Sequence, residues 1–282
     1  MIENYKNRKI ITIGIPTYRR PNSLTKILSQ ISSESVFYEN AMIVIVNDSG
    51  SKEFENEYIK AINTFGNIHI EYIRNKINLG LPRSFLILLE NTKTKYLFYM
   101  SDDDILISQN LPGIINFILE KKPYIVSPQW IFKNGRFGRG INKTRKIKPE
   151  EFRLCCGHAP GVIFNVEIAK EFVPIIEKRI NTRCTATYTY PLVAFSIPIF
   201  LKYDNCWWYG KPLVMEGDNS PSQIRDPKGY PYYSINSRIQ QIADFDDYIL
   251  SFPESELRNR ILKASRAWSL QKAINLDKEL KK

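Results

Sequence analysis

Cysteine, histidine and long apolar runs are scarce in this chain. Among its 282 residues there are four cysteines and two histidines. The cysteines have neither zinc-finger nor redox-motif spacing, and the neighbours Cys155 and Cys156 cannot readily bond to each other. A chain kept reduced in the cytoplasm is therefore the simplest interpretation, rather than a disulfide-stapled or zinc-finger protein.

No segment has the form of a signal peptide or of a transmembrane helix. The N-terminus, MIENYKNRKIITIGIP, lacks the apolar stretch that export requires. The most apolar later stretch, Tyr190 to Leu201, is about 12 residues long and contains Pro191 and Pro198, whereas a bilayer span needs about 20 residues. We expect a cytoplasmic protein, either soluble or peripheral on the inner face of the plasma membrane.

Acidic residues are outnumbered, with 29 Asp and Glu against 40 Lys and Arg and a net charge of +11. This excess attracts anions such as nucleic acid, nucleotide phosphates or an anionic membrane surface. The chain has no helix-turn-helix, zinc-finger or RNA-binding aromatic signature, so we expect no nucleic-acid partner. A hydrophobic content of 43% predicts a sizeable folded core.

The N-terminal part alternates strand and helix patterns, which predicts an α/β protein with a mostly parallel sheet. The predicted strands are Ile10–Ile15, Met42–Val46, Ile68–Ile73 and Tyr96–Met100. Helices are predicted from Ser23, over Glu53–Phe65 and over Pro82–Glu90.

The second half is less regular. A helix from Leu111 and a strand at Tyr124–Val126 precede residues 133–149, which we interpret as a mobile surface loop, either a lid or an acceptor loop. A further strand and helix are predicted within residues 158–176. The segment after Asp204 is rich in aromatic and turn residues and has no clear assignment. Residues 254–282 predict a basic helical tail.

Three consecutive aspartates, Asp102 to Asp104, follow the buried run Tyr96–Met100 in the sequence YLFYMSDDDIL. Adjacent carboxylates repel one another, so the cluster favours a bound cation. Oxygen ligands suit a hard divalent ion, Mg²⁺ or Mn²⁺, shared with substrate phosphates. The alternative is a helix N-cap, for which aspartate is also well suited.

Other strand ends carry turns that a parallel sheet would bring to the same edge. These turns are PTYRRP, NDSGS and NLGLPR. A nucleoside diphosphate would suit such a crevice, because Asp48 can accept a hydrogen bond from the base and arginines can offset phosphate charge. Asp48 could instead serve only an Asx turn, Gly80 only a positive φ angle, and Arg19 and Arg20 only a solvated turn.

Four segments, in this order and spacing, resemble glycosyltransferase family 2, whose members have the nucleotide-sugar-binding GT-A fold. IGIPTYRRPNSL resembles the family's first strand-end turn, and IVIVNDSGS its Val-Val-Asp-Asp turn, with Asn47 in place of the first aspartate. NKINLGLPRSF is similar to the family's Asn-x-Gly segment, and YLFYMSDDDIL to its DxD strand end. The resemblance covers about residues 10–106.

The resemblance implies a fold and a set of binding residues. The fold is a Rossmann-like, mostly parallel sheet flanked by helices, divided into a nucleotide-sugar-binding half (1–110), a mixed acceptor-binding half (111–250) and the tail (251–282). The implied contacts to the nucleotide sugar are made by Pro16, Thr17, Tyr18, Arg19, Asp48, Gly80, Arg83, Asp102 and Asp103. Mn²⁺ or Mg²⁺ would be held by Asp104 and Asp102, the two aspartates on either side of the middle position of the DxD signature.

The catalytic base does not follow from the resemblance. Inverting members often carry a Glu-Asp pair in the acceptor half, but residues 181–198 contain no acid. Our first candidates are Asp218 and Glu216, and Asp204 and His158 are the others. A base must reach the acceptor hydroxyl by a hydrogen bond, which a sequence does not show.

The predicted activity is metal-dependent transfer of a sugar, with inversion, from a nucleotide-diphosphate donor, UDP-sugar favoured, to a glycan or lipid-linked acceptor in surface polysaccharide synthesis. The tail's Leu257, Ile261, Trp268 and Ile274, among basic residues, suggest contact with an anionic membrane surface, or else packing on the catalytic domain. The rival functions are a sugar nucleotidyltransferase and a non-catalytic nucleotide-sugar or polysaccharide-binding domain. The absence of a glycine-rich phosphate loop counts against the nucleotidyltransferase.

Overall fold

The N-terminal half forms the parallel part of a twisted sheet. The computed structural model describes residues 9–33, 40–66, 68–156, 158–217, 227–231 and 234–280, without the side chains of residues 156 and 272–280. Strand β1 (Ile11–Thr17) pairs in parallel with β2 (Ala41–Asn47) and β4 (Tyr96–Tyr99), and β2 pairs in parallel with β3 (Ile70–Arg74). Every residue of β2 and β4 is buried, as expected for strands covered on both faces.

Three helices make the connections between these strands. They are α1 (Pro21–Ser32), α2 (Glu55–Asn63) and α3 (Leu81–Asn91). Each follows a turn at the carboxyl end of a strand, and α1 buries the apolar stripe Leu24, Ile27, Leu28 and Ile31 that the sequence pattern predicts. The predicted α/β fold with its parallel N-terminal half is confirmed.

The second half extends the same sheet with mixed pairing. Its strands are β5 (Ile105–Leu106), β6 (Ile125–Ile131), β7 (Arg145–Lys146), β8 (Ile163–Asn165) and β9 (Cys206–Met215). Within the described residues the order is β3-β2-β1-β4-β8-β6-β9-β5, with β7 on β9. β8 runs antiparallel to β4 and β6, whereas β9 is parallel to β6.

The helices of this half cover the sheet and connect its strands. They are α4 (Leu111–Lys121), α5 (Val166–Lys170), α6 (Val173–Asn181), α7 (Thr185–Thr189), α8 (Pro191–Lys202), α9 (Ile235–Leu250) and α10 (Glu256–Leu280). Two 3₁₀ segments, Ser108–Asn110 and Pro149–Cys156, complete the elements that the structure describes.

Two expectations for the second half are corrected. The unassigned segment after Asp204 forms β9, a ten-residue strand that contains Gly210 and Pro212 and pairs with β6 through register shifts. Residues 133–149 are not a loop throughout, because Arg145–Lys146 pairs antiparallel with β9 as β7. Turn-forming residues within β9 conceal its strand character in the sequence.

The basic tail packs against the α/β domain. Ile261 of α10 is completely buried, and the Arg153 guanidinium lies 3.5 Å from the centroid of the Trp268 ring. Arg153 also donates a hydrogen bond to Ser265 at 3.1 Å. Ile261 and Trp268 therefore contact protein rather than lipid, which corrects that part of the membrane hypothesis, while the Ile274 side chain lies outside the described residues. Among the helices that the structure describes, none is long and apolar enough to span a bilayer.

Candidate active site

The carboxyl ends of β1, β2 and β4 lie side by side at one edge of the sheet. Thr17, the last residue of β1, is paired with Asn47 at the end of β2, and the Asp48 amide donates to the Thr17 carbonyl at 2.9 Å. The Met100 amide, just past β4, donates to the Gly14 carbonyl of β1 at 3.0 Å. The structure thus brings Thr17, Asp48 and the three aspartates to one edge, as the strand pattern predicts.

Asp102 is held by groups from the end of β1. The Thr17 hydroxyl donates to one Asp102 carboxylate oxygen at 2.6 Å, and Arg20 Nη1 lies 3.3 Å from the other. Because Thr17 gives its proton to Asp102, its oxygen accepts from the Tyr58 hydroxyl of α2 at 3.0 Å. Burial raises the pKa of Asp102 to about 6, although the Thr17 hydrogen bond and the Arg20 charge both lower it.

Asp103 is paired with the guanidinium of Arg20, as Asp102 is. Arg20 forms an ion pair with Asp103, which also accepts a hydrogen bond from the Ser101 hydroxyl. Arg19, the residue predicted to contact the nucleotide, adopts a left-handed backbone conformation with φ 56° and places its guanidinium 5.2 Å from the centroid of the exposed Tyr18 ring. The turn therefore directs Arg20 to the carboxylates and leaves Arg19 and Tyr18 at the surface.

Asp104 faces the second half of the chain. Its side chain is 1% exposed, and one oxygen lies 3.0 Å from Nε2 of His158 while the other accepts from the Gly217 amide at 2.9 Å. The His158 ring stacks on Trp130 of β6 at 5.8 Å between centroids. In the described part of the chain Asp104 has no lysine or arginine partner. A strand, β5, follows the aspartates, so the alternative interpretation of the cluster as a helix N-cap is wrong.

Asp48 organises the turn that enters α3. Its carboxylate accepts hydrogen bonds from the Asn75 side chain at 2.7 Å and from the amides of Leu79 and Gly80 at 2.8 and 2.7 Å. Gly80 has φ +81°, and a Cβ there would lie 2.7 Å from the Tyr188 hydroxyl. Both the backbone angle and the space therefore favour glycine. The hydrogen bond between Asp48 and the nucleotide base stays a prediction.

Arg83 makes contacts away from the aspartates. Its guanidinium pairs with Glu177 of α6 at 2.7 Å and donates to the Asn181 side chain. These contacts link α3 to α6, so the predicted position of Arg83 at the diphosphate stays a prediction. Pro16 is half-buried in β1, immediately before Thr17.

A cleft of about 660 Å³ opens beside the aspartates. Its other walls are polar residues of α1 and residues next to β6 and β9, and its lining comprises Ser23, Thr25, Lys26, Ser29, Gln30, Asp102, Asp103, Asp104, Ile105, Lys133, Met215, Glu216 and Gly217. The candidate base Glu216 therefore shares a cleft with the carboxylates.

The other candidates for the base differ in position. Asp218 lies outside the described residues. The Asp204 side chain is 92% exposed and pairs with Lys146 of β7 at 3.4 Å, apart from the lining of the cleft. The acid-free residues 181–198 fall mainly in α7 and α8.

Several residues of this site were missed in the sequence. Arg20 was seen only as a turn residue, and Tyr58, Asn75 and Ser101 carried no assigned role. The signal for Arg20 is its place in PTYRRP, one residue beyond the predicted nucleotide contacts. Tyr58 shows only as an apolar position of a helix, so its hydroxyl contacts become visible only in the fold.

The donor groups around Asp104 fit a divalent ion that also binds substrate. A buried carboxylate without a cationic partner favours a bound cation, and Asp104 with His158 offers oxygen and imidazole ligands. Among the described residues no cluster of three or more acidic, histidine or cysteine side chains could hold a metal alone. Phosphate oxygens of a substrate would have to complete such a site, as is usual for Mg²⁺.

Comparisons with known proteins define the class of this site. A model of the family "Glycosyl transferase family 2" matches residues 12–171, more than half of the chain. The chain therefore belongs to glycosyl transferase family 2 and is a glycosyltransferase, as the four motifs predict. Structural likeness at 13% identity extends to S. aureus TarS with UDP-GlcNAc (TM-score 0.61, covering 96% of this chain and 91% of that one).

Further relatives agree with this class. Abequosyltransferase RfbV of Salmonella typhimurium is 31% identical over 102 residues, which are 36% of this chain and only 30% of that protein. An uncharacterized glycosyltransferase of Haemophilus influenzae is 22% identical over 86% of this chain and 84% of its own length. A Pyrobaculum calidifontis mannosyltransferase, solved with GDP-Man and Mn²⁺, shares the fold at 13% identity (TM-score 0.59, covering 95% of this chain and 74% of that one).

The turn held by Asp48 predicts that Gly80→Ala is more destabilising than Gly135→Ala. Both glycines have φ +81°, but a Cβ at Gly135 has no atom within 4 Å, whereas one at Gly80 meets Tyr188. Gly135→Ala should cost only the backbone term, about 1 kcal/mol. Gly80→Ala should cost at least about 1 kcal/mol more in the free energy of unfolding measured with urea. Equal losses in the free energy of unfolding for the two variants would show that the Asp48–Gly80 turn can accommodate a Cβ beside Tyr188.

The raised pKa of Asp102 predicts a pH-dependent stability for the metal-free protein. Because the folded-state pKa, about 6, exceeds the ordinary value of 3.8, the folded protein holds the proton more tightly. The Asp102 contribution to the free energy of unfolding therefore falls as pH rises from about 4 to 6, by at most about 3 kcal/mol.

Urea denaturation in EDTA across this window, compared with Asp102→Asn, measures the effect. The variant loses a constant amount through its altered hydrogen bonds but lacks the titration. The free energy of unfolding of the wild type, minus that of the variant, should therefore decrease as the pH rises. A difference that stays level from pH 4 to 7 would contradict the raised pKa.

Proposed function

We propose that this glycosyltransferase moves a sugar from a nucleoside-diphosphate donor to a hydroxyl of a glycan or lipid-linked acceptor in surface polysaccharide synthesis. The observation that carries the proposal is the cluster Asp102–Asp104 at the carboxyl end of β4, in which Asp102 and Asp104 are buried, beside a cleft with a further carboxylate, Glu216. A donor diphosphate and an acceptor hydroxyl need these two kinds of carboxylate close together.

The donor is proposed to be a UDP-sugar bound across the ends of β1, β2 and β4. Exposed Tyr18 offers an aromatic face to the base, and Asp48 retains capacity to accept a hydrogen bond from it. The TarS structures with UDP and with UDP-GlcNAc support uridine over guanosine, which the mannosyltransferase binds.

Mn²⁺ or Mg²⁺ is proposed to join the donor to the aspartates. Asp104 would hold the ion, with His158 beside it, and Asp102 is the other predicted ligand although Thr17 and Arg20 already engage it. When bound, the ion would neutralise the charge that develops on the departing diphosphate. Arg20 supports the same task from the protein side, because its guanidinium faces Asp102 and Asp103.

Glu216 is proposed to take the proton of the acceptor hydroxyl, with Asp218 as the other candidate. Glu216 lines the cleft beside Asp104, and its own amide is fixed to the Ile131 carbonyl at 2.8 Å. Among the described residues its carboxylate accepts one long contact, 3.4 Å, from the Lys133 amide, so it retains acceptor capacity. Direct attack by the acceptor oxygen as the diphosphate leaves would invert the anomeric centre.

The rival functions are less well supported. A sugar nucleotidyltransferase would belong to another family, and a non-catalytic domain would have no use for a second carboxylate beside the cluster. A lipid-linked acceptor would bring the protein to the inner face of the plasma membrane. Of the tail's described large apolar residues, Ile261 and Leu262 are buried in the protein, and Leu270 is the exposed one left for such a contact.

Calorimetric titration with UDP, GDP, CDP and dTDP, with and without Mn²⁺, tests the donor site. One diphosphate, UDP by preference, should bind in a Mn²⁺-dependent manner, and Asp104→Asn should weaken it at least about tenfold because it removes a proposed ligand. Asp204→Asn, a change at an exposed aspartate, is the matched control and should bind as wild type does. Failure of every diphosphate to bind would overturn the proposal.

Glu216→Gln tests the proposed base. The variant keeps the size and hydrogen-bonding shape of the side chain but cannot take a proton, so kcat should fall by about 10²–10⁴ while diphosphate affinity stays unchanged. Glu254→Gln, at a side chain 81% exposed, serves as the control. Undiminished transfer by Glu216→Gln would exclude Glu216 and direct attention to Asp218.

A further inference from the structure

Two neighbouring side chains in the acceptor half contain hydrogen-bond donors that no described residue satisfies. Neither Nε of Arg139 nor Nε1 of Trp130 has a hydrogen-bond partner in the described part of the chain, and both atoms are shielded from solvent. Trp130 is 4% exposed and Arg139 is half-buried, with its guanidinium 5.7 Å from the centroid of the indole. Unsatisfied buried donors are costly, so this pair calls for an acceptor.

Arg139 also has no counterion among the residues that the structure describes. Three of the four other arginines with a shielded Nε are paired with acids within the described residues: Arg74 with Glu55 at 3.3 Å, Arg179 with Asp247 at 3.2 Å and Arg258 with Glu254 at 3.6 Å. The fourth, Arg153, donates to the Ser265 hydroxyl and lies 3.5 Å from the centroid of the Trp268 ring. Arg139 has no such partner, and burial lowers its pKa, as expected for a cation removed from water without compensation. Residues 133–149 contain no acid that could supply one.

The protein fixes Arg139 from both sides of its backbone. The Arg139 backbone amide donates to the side-chain oxygen of Gln129 at 3.0 Å. The Arg139 carbonyl accepts a hydrogen bond from the side-chain nitrogen of the same glutamine. Gly138 lies against the indole so closely that a Cβ there would meet Trp130 Cε2 at 1.9 Å. The unpaired guanidinium is therefore held in position at Trp130 rather than left free on a loop.

A short series of contacts connects this position to the proposed reaction centre. Trp130 stacks on His158, and His158 lies 3.0 Å from Asp104. Two aromatic rings thus separate Arg139 from the carboxylates, and Arg139 lies in the segment after β6, whereas the donor residues are at the ends of β1, β2 and β4. A charged group bound by Arg139 therefore belongs to the acceptor side.

We propose that Arg139 and Trp130 bind an oxyanion, and that the acceptor carries this group as a phosphate ester or a carboxylate. The planar guanidinium donates a fork of N–H groups that matches either oxyanion, and the Trp130 ring lies against it. Lys143, which is exposed and has no ion pair among the described residues, adds attraction at longer range. The oxyanion site stands on this geometry alone, and its assignment to the acceptor rests on the proposed function.

Nuclear magnetic resonance of the arginine side chains tests the oxyanion site in the intact protein. The Nε–H resonance of Arg139 is identified by its absence from the spectrum of Arg139→Lys. Inorganic phosphate and acetate are then titrated against chloride at constant ionic strength. We expect a saturable shift of this resonance. The control variant Arg136→Gln should show the same shift, because Arg136 is exposed and lies over the Phe132 ring.

The outcomes separate the two chemistries. A shift with phosphate alone indicates a phosphate ester, and a shift with acetate indicates a carboxylate. Arg139→Gln should weaken the binding of the effective anion at least about tenfold, since it loses charge-assisted hydrogen bonds. No shift beyond that in chloride, for either anion, would overturn the oxyanion site.

A parallel titration separates this proposal from the donor site. Nucleoside diphosphate should bind Arg139→Gln as tightly as wild type in the presence of Mn²⁺. If a nucleoside diphosphate shifts the Arg139 resonance and binds the variant at least about tenfold more weakly, the oxyanion belongs to the donor and the assignment to the acceptor is wrong. If no diphosphate binds either protein, the proposed function fails, whereas the resonance still decides the oxyanion site.

Discussion

The hydrogen bond from Thr17 to Asp102 joins the ends of two adjacent strands, and the arrangement of the site depends on it. Asp102 is buried, so its charge is stable only with donors close by, which Thr17 and Arg20 supply. Tyr58 of α2 bonds to the Thr17 hydroxyl and accepts from the Arg20 amide, so the turn after β1 is fixed by the helix after β2. Three consecutive carboxylates can therefore coexist, because Arg20 pairs with both Asp102 and Asp103, while Asp104 has separate partners in His158 and the Gly217 amide.

The residues predicted to bind substrate already support one another in the protein alone. Asp48 holds the Leu79–Gly80 turn, and Asp104 is oriented by the Gly217 amide and His158. Groups held this way lose little freedom when a ligand arrives, which favours tight and specific binding. The same principle explains why Arg139 is informative, since it is held in place with its charge uncompensated.

Local patterns predicted the N-terminal half well, because buried β-branched strands and amphipathic helices depend on neighbouring residues. The aspartate cluster and the turns after β1 and β2 were predicted to share one edge for the same reason. Contacts between distant segments were not predictable: Arg83 pairs with Glu177 of α6, and Asp104 contacts His158. Strand β9 was missed because Gly210 and Pro212 interrupt its pattern and its partner β6 lies far away in sequence. The helix of the tail was predicted, whereas its contact with Arg153 appears only in the fold.

The central claim is that the aspartates after β4 hold the donor diphosphate through a divalent ion. Crystals grown with Mn²⁺ and the diphosphate that binds in solution, examined by anomalous diffraction at the manganese edge, test it most directly. We expect one manganese peak at coordination distance from Asp104 and from phosphate oxygens, with the nucleotide base near Asp48 and Tyr18. A diphosphate bound elsewhere, or a manganese ion without contact to Asp102, Asp103 or Asp104, would contradict it.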